Sequence, residues 1–383
     1  MHAHASGGGG PAPIGAAVVG YGYWGPNVVR TVAERPEFRL LGLCDRDRSR
    51  VDEFRVRHPE SGVYPDFEAV LDDSRVEAVA IATPPNTHHS LVRAALEAGK
   101  HVLVEKPLAT SAGQALELVE LAQARGLVLM PGHTFVYSPA VNKVRELIHG
   151  DQLGEVFFIT SSRMNLGKYQ RDGVVCDLAP HDLSILLHWL ASPVVQVSAT
   201  GRSVFQDGVH ETAFLTFTFA SGAQANVQVS WLAPRKVREM VVVGSRRMVQ
   251  YDDSAADESV RVYDRGLEFA EPPSNFGEYR LTYRSGDMVA PRVDAAEPLA
   301  LELLDFAVAI RHGSRPLSSA EFGLEIVLAL EALQESLRDH GRPVRVRSVT
   351  GLRSSNGNAN GNGNGNGHFR RAEAAVHPPP AAR

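Results

Sequence analysis

Cysteine is scarce in this 383-residue chain: only Cys44 and Cys176 occur. A small secreted scaffold held by disulfides would need more. No run approaches the roughly 20 consecutive apolar residues of a membrane helix. The first residues, Met1 to Pro13, are rich in His, Gly and Ala. They show no basic stretch followed by an apolar one, so no signal peptide is read and a cytoplasmic protein is expected. Excess positive charge is missing too. The formal net charge is -5, which gives no reason to expect nucleic acid or an anionic membrane as a partner. No set of His, Cys, Asp and Glu stands at a recognisable metal-ligand spacing, so no metal is expected.

The chain does have an ordinary globular balance, 44% apolar and 22% charged, and length enough for two domains plus tails. Ser6 to Gly10 and the Asn/Gly run Ser354 to Gly367 offer almost no apolar surface to bury, and both ends are expected to be disordered (1–12 and 349–383). Between them the first third alternates short apolar runs with helical stretches. The runs are Ile14 to Val19, Phe38 to Cys44, Ala78 to Ala82, His101 to Val104 and Leu127 to Met130. That rhythm predicts βαβ units and a doubly wound parallel sheet, an α/β domain over 13–131. After Pro131 the pattern changes. Val156 to Arg163 reads as a strand and Asp177 to Leu190 as a helix. Val195 to Val204, Thr212 to Phe219, Ala223 to Trp231, Val237 to Val243 and Met248 to Asp252 then follow without helices between them. Two helices, Pro298 to His312 and Ala320 to Arg338, come last. This half, 132–348, is expected to be an α+β domain with a mainly antiparallel sheet.

Gly20-Tyr21-Gly22-Tyr23-Trp24-Gly25 fits the dinucleotide-binding glycine pattern and lies where a strand meets a helix. Gly20 suits a tight turn, Gly22 a close backbone approach to a pyrophosphate, and Gly25 close helix–strand packing. The free N–H groups of the helix start would face the phosphates. Asp45, about 20 residues on, would accept from the adenosine ribose hydroxyls and repel a 2′-phosphate, favouring NAD. Arg46 and Arg48 beside it leave NADP open. Glu105-Lys106-Pro107 ends the strand read as the fourth, at the edge where ligands bind in such sheets. Lys106 there can hydrogen-bond a substrate oxygen or steady an alkoxide, though spacing alone fits a solvated lysine equally well. Asp177 and His181 are four apart and share one helix face. The His can take a hydroxyl proton and the Asp can hold the substrate. With Pro180 in a first turn, Asp177 also fits an N-cap. Thr83, Pro84, Asn86 and His88 would line the crevice beneath the nicotinamide, while His133 and Tyr137 stay ambiguous.

These segments together resemble the Gfo/Idh/MocA oxidoreductases (glucose–fructose oxidoreductase, inositol dehydrogenase, MocA) over about Ile14 to Val346. The motifs carrying the likeness are Val19 to Asn27, Ala82 to His88, Glu105-Lys106-Pro107, Asp177 to His181 and Glu297-Pro298-Leu299. The resemblance implies a Rossmann domain followed by an α+β domain with a large open sheet. It implies a homodimer or homotetramer built through that sheet. It also implies NAD contacts from Gly20, Gly22, Tyr23, Trp24, Gly25, Asp45, Arg46, Thr83, Pro84, Asn86, His88, Glu105 and Lys106. Lys106, His181 and Asp177 are the implied catalytic group. The expected reaction is hydride exchange between the nicotinamide and a secondary alcohol or ketone of a sugar or cyclitol. Asn165 to Gln170 leading into Asp177 looks like the sugar-nucleotide 3-dehydrogenase branch. On that reading Arg163, Asn165 and Lys168 join Lys106, Asp177 and His181 around the substrate. Arg163, Lys168, Arg235, Lys236 and Arg238 are then candidates to meet a diphosphate. Two other readings are an NAD-dependent glycosidase working by transient oxidation and a non-catalytic dinucleotide-binding sensor.

Overall fold

A computed structural model describes residues 12–352 apart from 168, 170, 171, 256 and 270–280. The Gly-rich stretches Ser6 to Gly10 and Ser354 to Gly367 therefore lie outside the described residues, whereas 349–352, read as part of a disordered end, form a helical turn.

The first sheet has six strands: β1 Ile14–Val19, β2 Phe38–Cys44, β3 Gly62–Val63, β4 Ala78–Ile81, β5 His101–Glu105 and β6 Leu129–Gly132. Every ladder is parallel and the order is β3-β2-β1-β4-β5-β6. β1 is buried at all six positions, as a strand covered by helices on both faces must be. The covering helices are α1 Gly25–Glu34, α2 Arg48–Arg57, α3 Phe67–Asp72, α4 His88–Glu97 and α5 Ala112–Arg125. Their starts follow from local chemistry. Asp47, Asp66 and Ser111 cap α2, α3 and α5 by accepting from Ser49 N, Ala69 N and Gln114 N. Order reverses between β1 and β4, so a crevice opens at their carboxyl ends, at Gly20 and Thr83. The strand read as the fourth is the fifth, because two-residue β3 carries no apolar run to announce it.

After α6 Pro139–His149 the second sheet is built. It contains β7 Val156–Met164, β8 Val194–Arg202, β9 Thr212–Phe219, β10 Gln224–Ser230, β11 Val237–Gly244, β12 Met248–Asp252, β13 Val260–Phe269, β14 Leu281–Val289 and β15 Val344–Arg345. Its order is β14-β13-β12-β11-β7-β10-β9-β8-β15, antiparallel except where β10 runs beside β7. In β9 the residues Ala213, Leu215, Phe217 and Phe219 are buried while Phe214 is half exposed. One face is therefore covered, by α7 Gly173–Leu190 and α9 Ala320–Arg338, and the other is open. The remaining helix, α8 Pro298–His312, returns to the first sheet, where Phe306 stacks on Phe38 at 6.3 Å. Among the described residues no helix is long and apolar enough to cross a membrane.

One element differs from expectation in a way that matters for the site. α7 begins at Gly173, a turn before Asp177. Asp177 is therefore not an N-cap, and Pro180 lies inside the helix, where it lacks the N–H that would bond the Cys176 carbonyl.

Candidate active site

A cleft of about 1810 Å³ runs from the β1–α1 turn to α7 and α9. That exceeds the few hundred to about 1,000 Å³ usual for one small ligand, so a dinucleotide and a second ring have room together.

The cofactor end is shaped by glycines in ways a side chain would spoil. Gly20 has φ +96, and a Cβ there would meet Ala82 O at 2.5 Å. A Cβ on Gly25 would lie 2.3 Å from Gly20 O, so α1 rests directly on the turn. At Gly22 the nearest atom is Arg50 Nη1 at 3.7 Å. The backbone there faces the cleft with nothing in between. Asp45 is held by two backbone donors, Tyr21 N at 2.6 Å and Asp47 N at 2.8 Å. Each carboxylate oxygen keeps a lone pair free for a ribose hydroxyl. These features fit a dinucleotide. Tyr23 and Trp24 line the cleft, as do Arg46, Thr83, Pro84 and Glu105.

Two residues expected at the cofactor stand elsewhere. Asn86 is exposed and off the cleft wall. His88 is fully buried, with Nδ1 2.8 Å from Pro107 O and Nε2 2.9 Å from Thr83 O. It braces the loops that follow β4 and β5 against each other and does not reach the cleft. The polar motif around it could not reveal this, because His88 alone in the first turn of α4 is buried while Ser90 is exposed.

At the other end Lys106, the residue after β5, donates to Asp177 O at 2.7 Å and lies 3.5 Å from Asp177 Oδ1. His181, one turn along α7, lines the same wall with its ring edge-on to Phe135 at 5.1 Å. Burial, and after it the charges of Lys106, Arg163 and Arg238, hold His181 well below its ordinary range. At neutral pH it is an uncharged imidazole with a lone pair to offer. The three residues expected to act together are thus brought together, Lys106 from the first sheet and the other two from α7.

Glu105 sits below Lys106. Burial pushes its carboxyl from 4.5 up to about 7, against the opposing pull of the Lys106 charge. Between those values the folded chain holds a proton that the unfolded chain has released, so stability falls as pH rises through the window and levels off above about 7. Glu105→Gln lacks this slope. Its melting temperature relative to the parent should climb across that window, and a constant difference would rule out the buried proton.

The substrate end differs more from expectation. Arg163 is 4% exposed and bonded through Nε to Asp182 Oδ2 at 2.7 Å. It lies on the inward face of β7 with Ile159 and Ser161, 4.5 Å above the Phe135 ring, and is not on the cleft wall. The pair ties β7 to α7. Charge in the sequence suggested a surface role, but strand alternation puts this residue inside. Arg235 and Lys236 are exposed and off the wall, while Arg238 lines it, paired with Asp253 at 2.8 Å. Asn165 does line the cleft, and its buried Oδ1 has no protein partner. Lys168 lies outside the described residues. Tyr137 is a tie between elements, donating to Asp305 Oδ2 at 2.8 Å and accepting from Ser318 N. His133 is buried with neither ring nitrogen bonded to protein. Unforeseen was Trp231, whose Nε1 donates to Asp177 Oδ2 at 3.1 Å.

The family model of the Gfo/Idh/MocA oxidoreductases with an NAD-binding Rossmann fold matches residues 14–133, and that of the Gfo/Idh/MocA C-terminal domain matches 141–250. The chain belongs to the Gfo/Idh/MocA family. It is an NAD(P)-dependent oxidoreductase, and its Rossmann domain is of the NAD-binding kind. Among its relatives is UDP-N-acetylglucosamine 3-dehydrogenase of Acidithiobacillus ferrooxidans, 28% identical over 60% of this chain and 70% of that protein. The solved structure of that enzyme covers 85% of this chain and 98% of its own, with a TM-score of 0.72 at 25% identity. D-xylose 1-dehydrogenase (NADP(+)) 2 of Haloferax volcanii is 26% identical over 82% of this chain and 94% of its own length. GenD2 from gentamicin A biosynthesis, solved in complex with NAD, is 26% identical, covers 88% of this chain and 97% of its own, and has a TM-score of 0.74.

Proposed function

We propose that this enzyme is a cytoplasmic dehydrogenase that oxidises a secondary hydroxyl of a sugar or cyclitol ring, or reduces the matching ketone, with a sugar-nucleotide 3-hydroxyl as the leading substrate class. The observation that carries the reading is the Lys106 ammonium, held by Asp177 beside an uncharged His181 on one wall of the cleft. Bound NAD supplies the hydride acceptor. Gly20 and Gly22 would make room for its pyrophosphate, Gly25 seats α1 on the turn, and Asp45 would hold its ribose.

The rest is done by side chains of this chain. Lys106 has three N–H donors, and Asp177 occupies at most two of them. The third is free for the substrate oxygen, where it steadies the negative charge that grows as the C–H bond breaks. His181 accepts the hydroxyl proton. Asp177 fixes the ammonium and offers its carboxylate edge to a neighbouring ring hydroxyl. Asn165 Oδ1, buried and without a protein partner, suits a further hydroxyl donor.

The sugar-nucleotide class is supported by the Acidithiobacillus relative and by the Asn165 to Gln170 segment. Buried Arg163 is not available to a diphosphate, so that role falls to Arg238 and Lys168. The deciding experiment incubates the protein with NAD or NADP and a panel of sugar nucleotides, free sugars, sugar phosphates and cyclitols, following reduced-cofactor absorbance. Net NADH formation from a ring alcohol is the expected result. Product without net NADH would replace this reading with transient oxidation, and no turnover with any member would sink it.

The same proposal includes a homo-oligomer assembled on the open face of the second sheet, where Phe157, Phe158 and Phe214 are about half exposed. Light scattering that returned a monomer mass at working concentration would remove this part alone.

A further inference from the structure

Asp177 presents three oxygens to its surroundings, and two different elements claim them. Lys106 takes the backbone carbonyl and approaches Oδ1. Oδ2 is taken by the indole N–H of Trp231 at 3.1 Å. Trp231 follows β10 and is 3% exposed, its own backbone N–H bonded to Glu211 O at 2.9 Å. The indole is therefore fixed before any ligand arrives. A carboxylate turns easily about its terminal bond, where the torsion is broad and two-fold. With Oδ2 pinned by a neutral donor, Oδ1 stays aimed at the Lys106 ammonium.

The residue also seats Asn165 to Gly167 of the cleft wall, with Tyr169 packed beside it. Asn165 N donates to Ser230 O at 3.1 Å and Gly167 N to Trp231 O at 3.2 Å. The Tyr169 ring is 5.7 Å from the indole. Gly167 leaves no space above it, since a Cβ there would lie 2.7 Å from Trp231 Cδ1 and 2.8 Å from Asn165 Oδ1. One side chain thus touches both the segment that walls the substrate end and the acid that holds the lysine.

We infer that Trp231 is a positioning residue for the Lys106–Asp177 pair, and that the seating of the wall residues Asn165 and Gly167 against it transmits the fit of the bound alcohol to that pair. The inference rests on the functional reading above, and its test separates the two. The full chain, which has three tryptophans, is labelled with 5-fluorotryptophan, and Trp231→Phe assigns the Trp231 fluorine signal. Asp177→Ala should shift that signal and leave those of Trp24 and Trp189 in place. With whichever alcohol is turned over (UDP-N-acetylglucosamine and myo-inositol are tried first), Trp231→Phe should lower kcat about tenfold, the worth of one hydrogen bond to a charged group. The KM for the alcohol should move less than about threefold and NADH affinity not at all, which a general loss of fold would not produce. Gly167→Ala should act in the same direction, and the double variant should be no worse than Trp231→Phe alone. A kcat for Trp231→Phe within about twofold of the parent, or losses that multiply in the double variant, would overturn the inference. Should no alcohol be oxidised, the functional reading fails by itself. An unmoved Trp231 signal in Asp177→Ala then overturns the positioning role, and a shifted one upholds it.

Discussion

Lys106→Ala is expected to lose at least about a hundredfold in turnover, within the range of about 10² to 10⁴ that a positioned proton-handling or charge-stabilising group contributes. NADH affinity, read by fluorescence titration, should stay within about threefold of the parent, because the ammonium points at Asp177 and the substrate wall rather than into the glycine turn. Lys106→Arg should not restore activity. A guanidinium is planar and broader than an ammonium, and the bond to Asp177 O at 2.7 Å leaves no slack for it. Equal losses in turnover and in NADH affinity would make Lys106 a cofactor anchor, and turnover near the parent's would remove it from the chemistry.

The second large effect separates two glycines that a motif treats alike. Gly22→Leu should keep the parent's melting temperature within a degree or so, since the nearest atom to a Cβ there is the mobile end of Arg50 at 3.7 Å. Its NADH affinity should fall at least about tenfold, because the side chain fills the space that the pyrophosphate needs. Gly25→Val should lose both. Its Cβ would strike the Gly20 carbonyl at 2.3 Å, and backbone cannot turn aside as a flexible side chain can. Circular dichroism melts and NADH titrations on the two variants decide the matter. A stable Gly25→Val that still binds NADH, or a Gly22→Leu that binds as the parent does, would mean that the cofactor lies elsewhere.

Most of the first sheet was legible because parallel strands buried on both faces must be nearly all apolar, as Ile14–Val19 and Ala78–Ile81 are. The elements missed there have weak signals of their own. α2 buries only Val51 and Phe54 among ten residues, and β3 is two residues long. α6 carried a readable pattern, Pro139 at its start and Val141, Val144 and Leu147 at helical spacing, that the change of rhythm after Pro131 obscured. β13 and β14, broken by charges and glycine, show no clear run. In the site, Lys106, Asp177 and His181 were singled out by the family motifs, because a strand end and a shared helix face fitted a solvated lysine and an N-cap equally well. Arg163 and His88 were misplaced for one shared reason. A polar residue in a promising motif reads as a ligand contact, whereas here its partner is Asp182 or a pair of carbonyls, brought near only by the folded chain. Trp231 was invisible for the converse reason, an aromatic at the end of a strand being ordinary core until its N–H is seen to face Asp177.

Lys106 hangs from the end of β5 in the six-stranded sheet, and Asp177 and His181 hang from a helix laid on the nine-stranded one. The chemical group therefore exists only as a registration between two layers. A slip of about 1 Å between them would stretch the bond from Lys106 to Asp177 beyond the reach of a hydrogen bond while every strand stayed paired. The glycine turn and Asp45 belong wholly to the first layer, so the cofactor would not sense that slip. Turnover in this enzyme is accordingly a finer gauge of how the two halves sit than either cofactor binding or secondary structure.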